Sequence, residues 1–143
     1  MKAGSQSGNA LIEFAGSLIL LSVMFAGVFE IGYSFYTYAA LVNAVRAGAR
    51  YAALQPRGPA VDPAAAAAVR NLVVYGDPAP GGLSQPLVSG LRTGNVELIN
   101  TASSSTVSVR GFEIDALFMK VHLDGRPRVT FPAMAAGNSG DHP

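Results

Sequence analysis

The sequence predicts an α+β chain: a long N-terminal α-helix, transmembrane in its first half and amphipathic in its second, with a small C-terminal antiparallel β-sheet domain packed on it. Three observations carry this reading. Residues 14–29, FAGSLILLSVMFAGVF, hold no charge. No proline interrupts the chain before Pro56. After Gly94 the apolar residues alternate at period two, the spacing of strands with one buried face.

Composition sets the outer bounds. Half of the 143 residues are hydrophobic and 13% are charged, against about a quarter charged in ordinary globular domains. The apolar excess lies in residues 11–54, while residues 55–143 read as a soluble segment. A net charge of +1 offers no electrostatic basis for a nucleic-acid partner. With no cysteine, a disulfide framework and a thiolate metal site are both excluded.

A helix over Asn9–Leu54 would measure roughly 65–70 Å at 1.5 Å per residue. The hydrocarbon core of a bilayer is about 30 Å thick, so residues 11–31 fit in lipid and the remainder stands outside. In that outer half Phe35, Tyr38, Val42, Val45, Ala49 and Ala52 recur at spacings of three and four, a stripe for a packed domain. Asn43, Arg46 and Arg50 form its polar face. A cleaved secretory signal fits poorly, because its apolar core is short and a small-residue site follows closely, whereas here the helical pattern continues. Lys2 and the start amine favour a cytoplasmic N-terminus, an asymmetry that Arg46 and Arg50 weaken. The small residues Ala15, Gly16, Ala26 and Gly27 allow close approach of neighbouring helices. Gly27 and Gly32 bracket Glu30, the second acid of the helix, and mark the expected place for it to loosen or bend.

A short polar leader, residues 1–8, ends in Gly8 and is followed by Asn9-Ala10-Leu11-Ile12-Glu13-Phe14. This start resembles the processing site of type IV pilin-like proteins. More narrowly, GNALIEFA, then GVFEIGYSFY, then NAVRAGARYAA resemble the TadE-like proteins of bacterial tight-adherence (Flp-type) pilus systems. The resemblance covers about residues 8–53. EIGYSF stands where members commonly show E-F-G-R, so a basic residue is missing beside Glu30.

The resemblance implies that a prepilin peptidase cuts between Gly8 and Asn9, leaving Glu13 fifth in the mature chain. It implies a role in assembly register for Asn9, Glu13 and Phe14. Cleavage would create an amine of pKa about 7.7–8.0 beside the apolar run. Glu13 of a neighbouring subunit would pair with that cation, each charge offsetting the other's desolvation; its own Asn9, four residues away, competes. The implied protein is a structural, non-enzymatic pseudopilin. Its partners are copies of itself in a helical homopolymer or other pilin-like subunits, an inner-membrane assembly platform, and membrane lipid before assembly. Its location is the bacterial inner membrane as precursor, then an extracellular pilus. The alternative is a single-span membrane-anchored adhesin or binding protein that does not polymerise.

Twelve large apolar side chains lie between Leu11 and Phe29. At roughly 1.5–3 kcal/mol each, exposing them to water is unfavourable by on the order of 20–30 kcal/mol. Only lipid or a bundle of like helices keeps that surface dry.

Residues 55–94 read as a linker with one short helix, N-capped by Asp62, entered at Pro63 and stopped at Gly76, followed by a Pro/Gly-rich loop. Residues 95–132 read as three or four strands in one small antiparallel sheet over the outer helix. Val96, Leu98 and Thr106–Val109 alternate, and a change of parity past Gly111 suggests a bulge at Arg110-Gly111. Asp124-Gly125 signals a hairpin; a three-residue loop, Asp124–Arg126, pairs Val121 with Val129 and Met119 with Phe131, and Pro127 falls on an edge strand. Residues 133–143 read as a loose tail. No catalytic, metal or cofactor motif is expected: Glu113, Asp115 and His122 read as a solvated strand face, and Ser103-Ser104-Ser105 as a loop.

Overall fold

The computed structural model describes residues 4–55, 62–116 and 118–132, with the side chains of the first helix from Gly8 onward. The expected tail, residues 133–143, and residues 56–61 of the expected linker lie outside the described residues. The architecture is α+β. A helix α1, Gly4–Leu54, is followed by α2, Pro63–Tyr75, and five strands: β1 Val96–Asn100, β2 Ser104–Val109, β3 Phe112–Asp115, β4 Lys120–Leu123 and β5 Arg128–Pro132.

Helix α1 is one element of 51 residues. It begins inside the segment read as a leader and passes Gly27 and Gly32 without interruption, so the expected loosening there is absent. Its outer half carries the domain, but the buried face differs from the expected stripe. Val45, Ala49 and Ala52 are buried as expected, whereas Phe35 is 71% and Tyr38 37% exposed. The core takes Thr37, Leu41, Ala44 and Gly48 instead. Periodicity could not choose between two apolar faces. The face with small side chains wins because it lets α2 lie close: a methyl group on Gly48 would overlap Val73 Cγ2.

Helix α2 forms as its ends dictate. Asp62 accepts the Ala64 N–H at 2.9 Å, and Pro63 fills the first turn, where a missing donor costs nothing. Gly76 adopts φ 76°, closing the helix with its N–H on Leu72 O. The following segment is more than a linker. Leu87 N–H donates to Val74 O at 2.7 Å, and Val88 and Leu91 join the core beside Val69 and Val73.

The strands make two sheets. β1, β2 and β5 form an antiparallel sheet in that order, and β3 pairs with β4 in a separate two-stranded ribbon. The expected hairpin between β4 and β5 does not form. Val129 lies opposite Val107 and Phe131 opposite Ser105, while Val121 faces Ile114. Val129 and Val121 each find an apolar partner in either arrangement, so alternation alone could not select between them. The observed one adds the Thr106–Thr130 hydroxyl pair at 2.8 Å. Pro127 does not lie on a strand: it directly precedes β5, which is an edge of its sheet.

At Arg110-Gly111 the structure has a corner between the two sheets and not a bulge. Gly111 takes φ 57°, and Asn95 Nδ2 donates to the Arg110 and Gly111 carbonyls at 3.0 and 2.9 Å. Ser104 and Ser105 belong to β2 and not to a loop; Ser105 is fully buried. The core joins Leu41, Val45 and Ala49 of α1 to Val73 of α2, Val107 and Val109 of β2, and Phe112 and Ile114 of β3.

Gly48→Ala is expected to destabilise the domain by about 1–3 kcal/mol through overpacking, and Asp62→Ala by about 1 kcal/mol through loss of the cap. Denaturation midpoints of the detergent-solubilised protein, compared with wild type, check both; an unchanged midpoint for Gly48→Ala would contradict the close approach of α1 and α2.

Candidate functional site: an exposed apolar rod and a clasped carboxylate

The first half of α1 touches little of the rest of the chain. All twelve large apolar side chains from Leu11 to Phe29 are exposed, between 51% and 75%. The most apolar 18-residue stretch has a mean hydropathy of 2.1, and none of it is buried. By length and composition this helix can cross a membrane.

Gly8, Asn9 and Glu13 are exposed at its start. Glu13 has no hydrogen-bond or ion-pair partner among the described residues. Phe14 is 66% exposed, and Ala15 is also exposed. A Cβ on Gly16 or Gly27 would meet no atom within 4 Å, and Ala26 is half-buried. Nothing within the chain therefore demands small residues at Gly16 and Gly27. At the far end Asn43, Arg46 and Arg50 share one exposed polar face.

Glu30 behaves differently from Glu13. It is 6% exposed, and its Oε1 accepts the N–H groups of Phe118 and Met119 at 2.8 and 2.7 Å. The turn joining β3 to β4 is thereby clasped to α1 across 88 residues of sequence. Glu30 Oε2 and the Ser34 hydroxyl one turn later are buried without a hydrogen-bond partner among the described residues. The hydrogen-bond partners of Glu30 are backbone donors. Only the lone carboxylate at the end of an apolar run signalled this contact; its partners are main-chain groups, which leave no mark on side-chain pattern.

Beside the clasp, Ile31, Phe35, Tyr38, Met119 and Val121 line an apolar groove of about 250 Å³ between α1 and the β3–β4 ribbon. On the ribbon, Glu113 faces His122 in the strand register, with Oε1 and Nε2 2.6 Å apart. Asp115 faces Lys120 at 3.7 Å. The two acids that share a strand face are each answered by a cross-strand base. Among the described residues no group of three His, Asp or Glu side chains is placed to hold a metal ion.

The decisive segment is the rod with its two acids and the Arg46–Arg50 helix end. The family model for TadE-like protein matches this region. The match covers residues 8–50. It spans Gly8, Glu13, Glu30 and Gly48, and so contains the exposed rod, the clasped acid and the glycine against which α2 packs. The TadE-like match suggests a pilus-associated protein with an apolar N-terminal helix. No curated protein and no solved structure matches the chain.

Replacing Glu30 by alanine would free two backbone donors that now make charge-assisted bonds. Faster amide hydrogen exchange is expected at Phe118 and Met119, with the Val107 and Val109 amides of β2 unchanged. Equal exchange at Phe118 in both proteins would show that the carboxylate does not hold the turn.

Proposed function

We propose that the protein is a non-enzymatic, pilin-like subunit of the pseudopilin kind, held in the bacterial inner membrane by the Leu11–Phe29 segment. It is then assembled into an extracellular pilus by packing of that helix against copies of itself or kindred subunits. The observation that carries this is the exposure of twelve large apolar side chains on a helix headed by Gly8 and Glu13. Lipid covers them first and neighbouring helices afterwards. Gly16 and Gly27, where a Cβ would meet no atom of the described residues within 4 Å, are available for close helix approach.

In this reading a prepilin peptidase cuts after Gly8, and the assembly platform passes the mature chain from lipid to filament. Glu13 sets the axial stagger. Left alone inside a bilayer, an ionised carboxylate is unfavourable by roughly 2.5–3.5 kcal/mol at the centre and less toward the edge. Pairing with the Asn9 amine of a neighbour relieves that cost only at one register, which is how a buried pair contributes geometry more than net stability. The exposed Phe35 and Tyr38 and the groove beside them extend the same apolar contact surface beyond the membrane.

Mass spectrometry of the assembled protein is expected to find Asn9 at the N-terminus; an intact Met1 in filaments would overturn the processing step. Glu13→Ala is expected to leave the amount of membrane-inserted protein unchanged while abolishing assembly, scored by filament imaging and by shearing pili from cells. Full surface function in that variant would favour a monomeric anchored adhesin instead.

A further inference from the structure

We propose that the turn between β3 and β4, led by Phe118, docks into the interfacial layer of the bilayer and gives the subunit a second membrane contact. The proposal rests on the reading of Leu11–Phe29 as a membrane span and adds to it a lipid-binding site on the domain.

The level of the turn is fixed by geometry. Leu11 to Phe29 covers 19 residues, about 28 Å of helix at 1.5 Å per residue, which matches a hydrocarbon core of about 30 Å. Glu30 therefore stands at the outer border of the core. The Phe118 and Met119 N–H groups lie 2.8 and 2.7 Å from its carboxylate, so the turn is held at that same border.

The chemistry of the turn suits that position. Phe118 is 75% and Met119 48% exposed, although both follow directly on a buried contact. They continue the apolar surface that Phe29, at 63%, and Ile31, at 55%, present on the helix at the same height. A turn exposes backbone donors, which are costly in a layer poor in water. Here those of Phe118 and Met119 are already bound by Glu30, and Ala116 N–H donates to Met119 O at 3.1 Å. Lys120 follows immediately, with its side chain 65% exposed and its ammonium 3.7 Å from Asp115, within reach of lipid headgroups. Tyr33 and Tyr36 stand on α1 one to two turns beyond Glu30, where aromatic side chains with a polar tip favour the membrane border. The exposed Phe118 and Met119, their bound N–H groups and a base beside them make a surface for the lipid interface.

The chain has no tryptophan, so single Trp substitutions report position without background. The full chain would be reconstituted in phosphatidylcholine–phosphatidylglycerol vesicles containing lipid brominated near the headgroup end of its acyl chains. Phe118→Trp is expected to emit at shorter wavelength than Leu83→Trp, which replaces a 97% exposed loop residue, and to be quenched by the brominated lipid. Leu83→Trp is expected to stay unquenched. Phe25→Trp, in the span, reads insertion separately, with lipid brominated deep in the chain. An unquenched Phe118→Trp together with a quenched Phe25→Trp overturns the docking proposal and leaves the span intact. A blue-shifted but unquenched Phe118→Trp also overturns it and assigns the turn to a contact between protein copies. An unquenched Phe25→Trp overturns the span and this proposal with it.

Discussion

A helix whose first half is left uncovered by the described residues governs this molecule. Twelve large apolar side chains stand exposed along the first half of α1, and the domain that follows is attached only beyond them. Five short strands and a helix of 13 residues pack on the outer half of α1 and leave the rod exposed. Its environment has to come from outside, and every other feature is arranged around that. The domain sits on the outer half of the helix, leaving the inner half bare. Charged residues are kept to its two ends and to Glu30, whose charge is met by main-chain donors.

The domain is built by small residues on the helix and by turns that redirect short strands. Gly48, Ala44 and Ala49 allow α2 to approach α1 closely, so two helices and a sheet share one core with only valines, leucines, one isoleucine and one phenylalanine as its larger members. Asn95 holds the corner at which the chain leaves one sheet for the next, using both ends of its amide: its oxygen accepts the Arg92 N–H and its nitrogen serves two carbonyls. Glu97 ties Ser108 and Arg110 together at the same end of the sheet. These polar contacts settle the direction of the chain where burial alone is indifferent.

What the sequence revealed follows from which forces are local. The long helix, the Asp62 cap, the Pro63 entry and the Gly76 stop depend on neighbours within one turn, and all are legible in order along the chain. Strand positions were legible for the same reason, through alternation. Strand partners were not: Val121 matches Ile114 as well as Val129, and the choice is made by distant contacts such as Thr106 with Thr130. The face of α1 that receives the domain was misread because Phe35 and Tyr38 look like core residues by hydrophobicity, while steric fit selects the small residues on the adjoining side. Of the candidate site, the two acids were visible as charges where charge is costly. The clasp on Glu30 was invisible, since backbone amides carry no residue code.

The unbroken course of α1 has a mechanical consequence. One rigid rod carries both the membrane-facing side chains and the seat of the domain, so the two are geared together with a fixed phase. Adding or removing one residue between Phe29 and Thr37 would turn the head by about 100° and shift it by about 1.5 Å relative to the inner half. The domain has no swivel of its own; whatever orients the rod orients the face that the head shows to its surroundings.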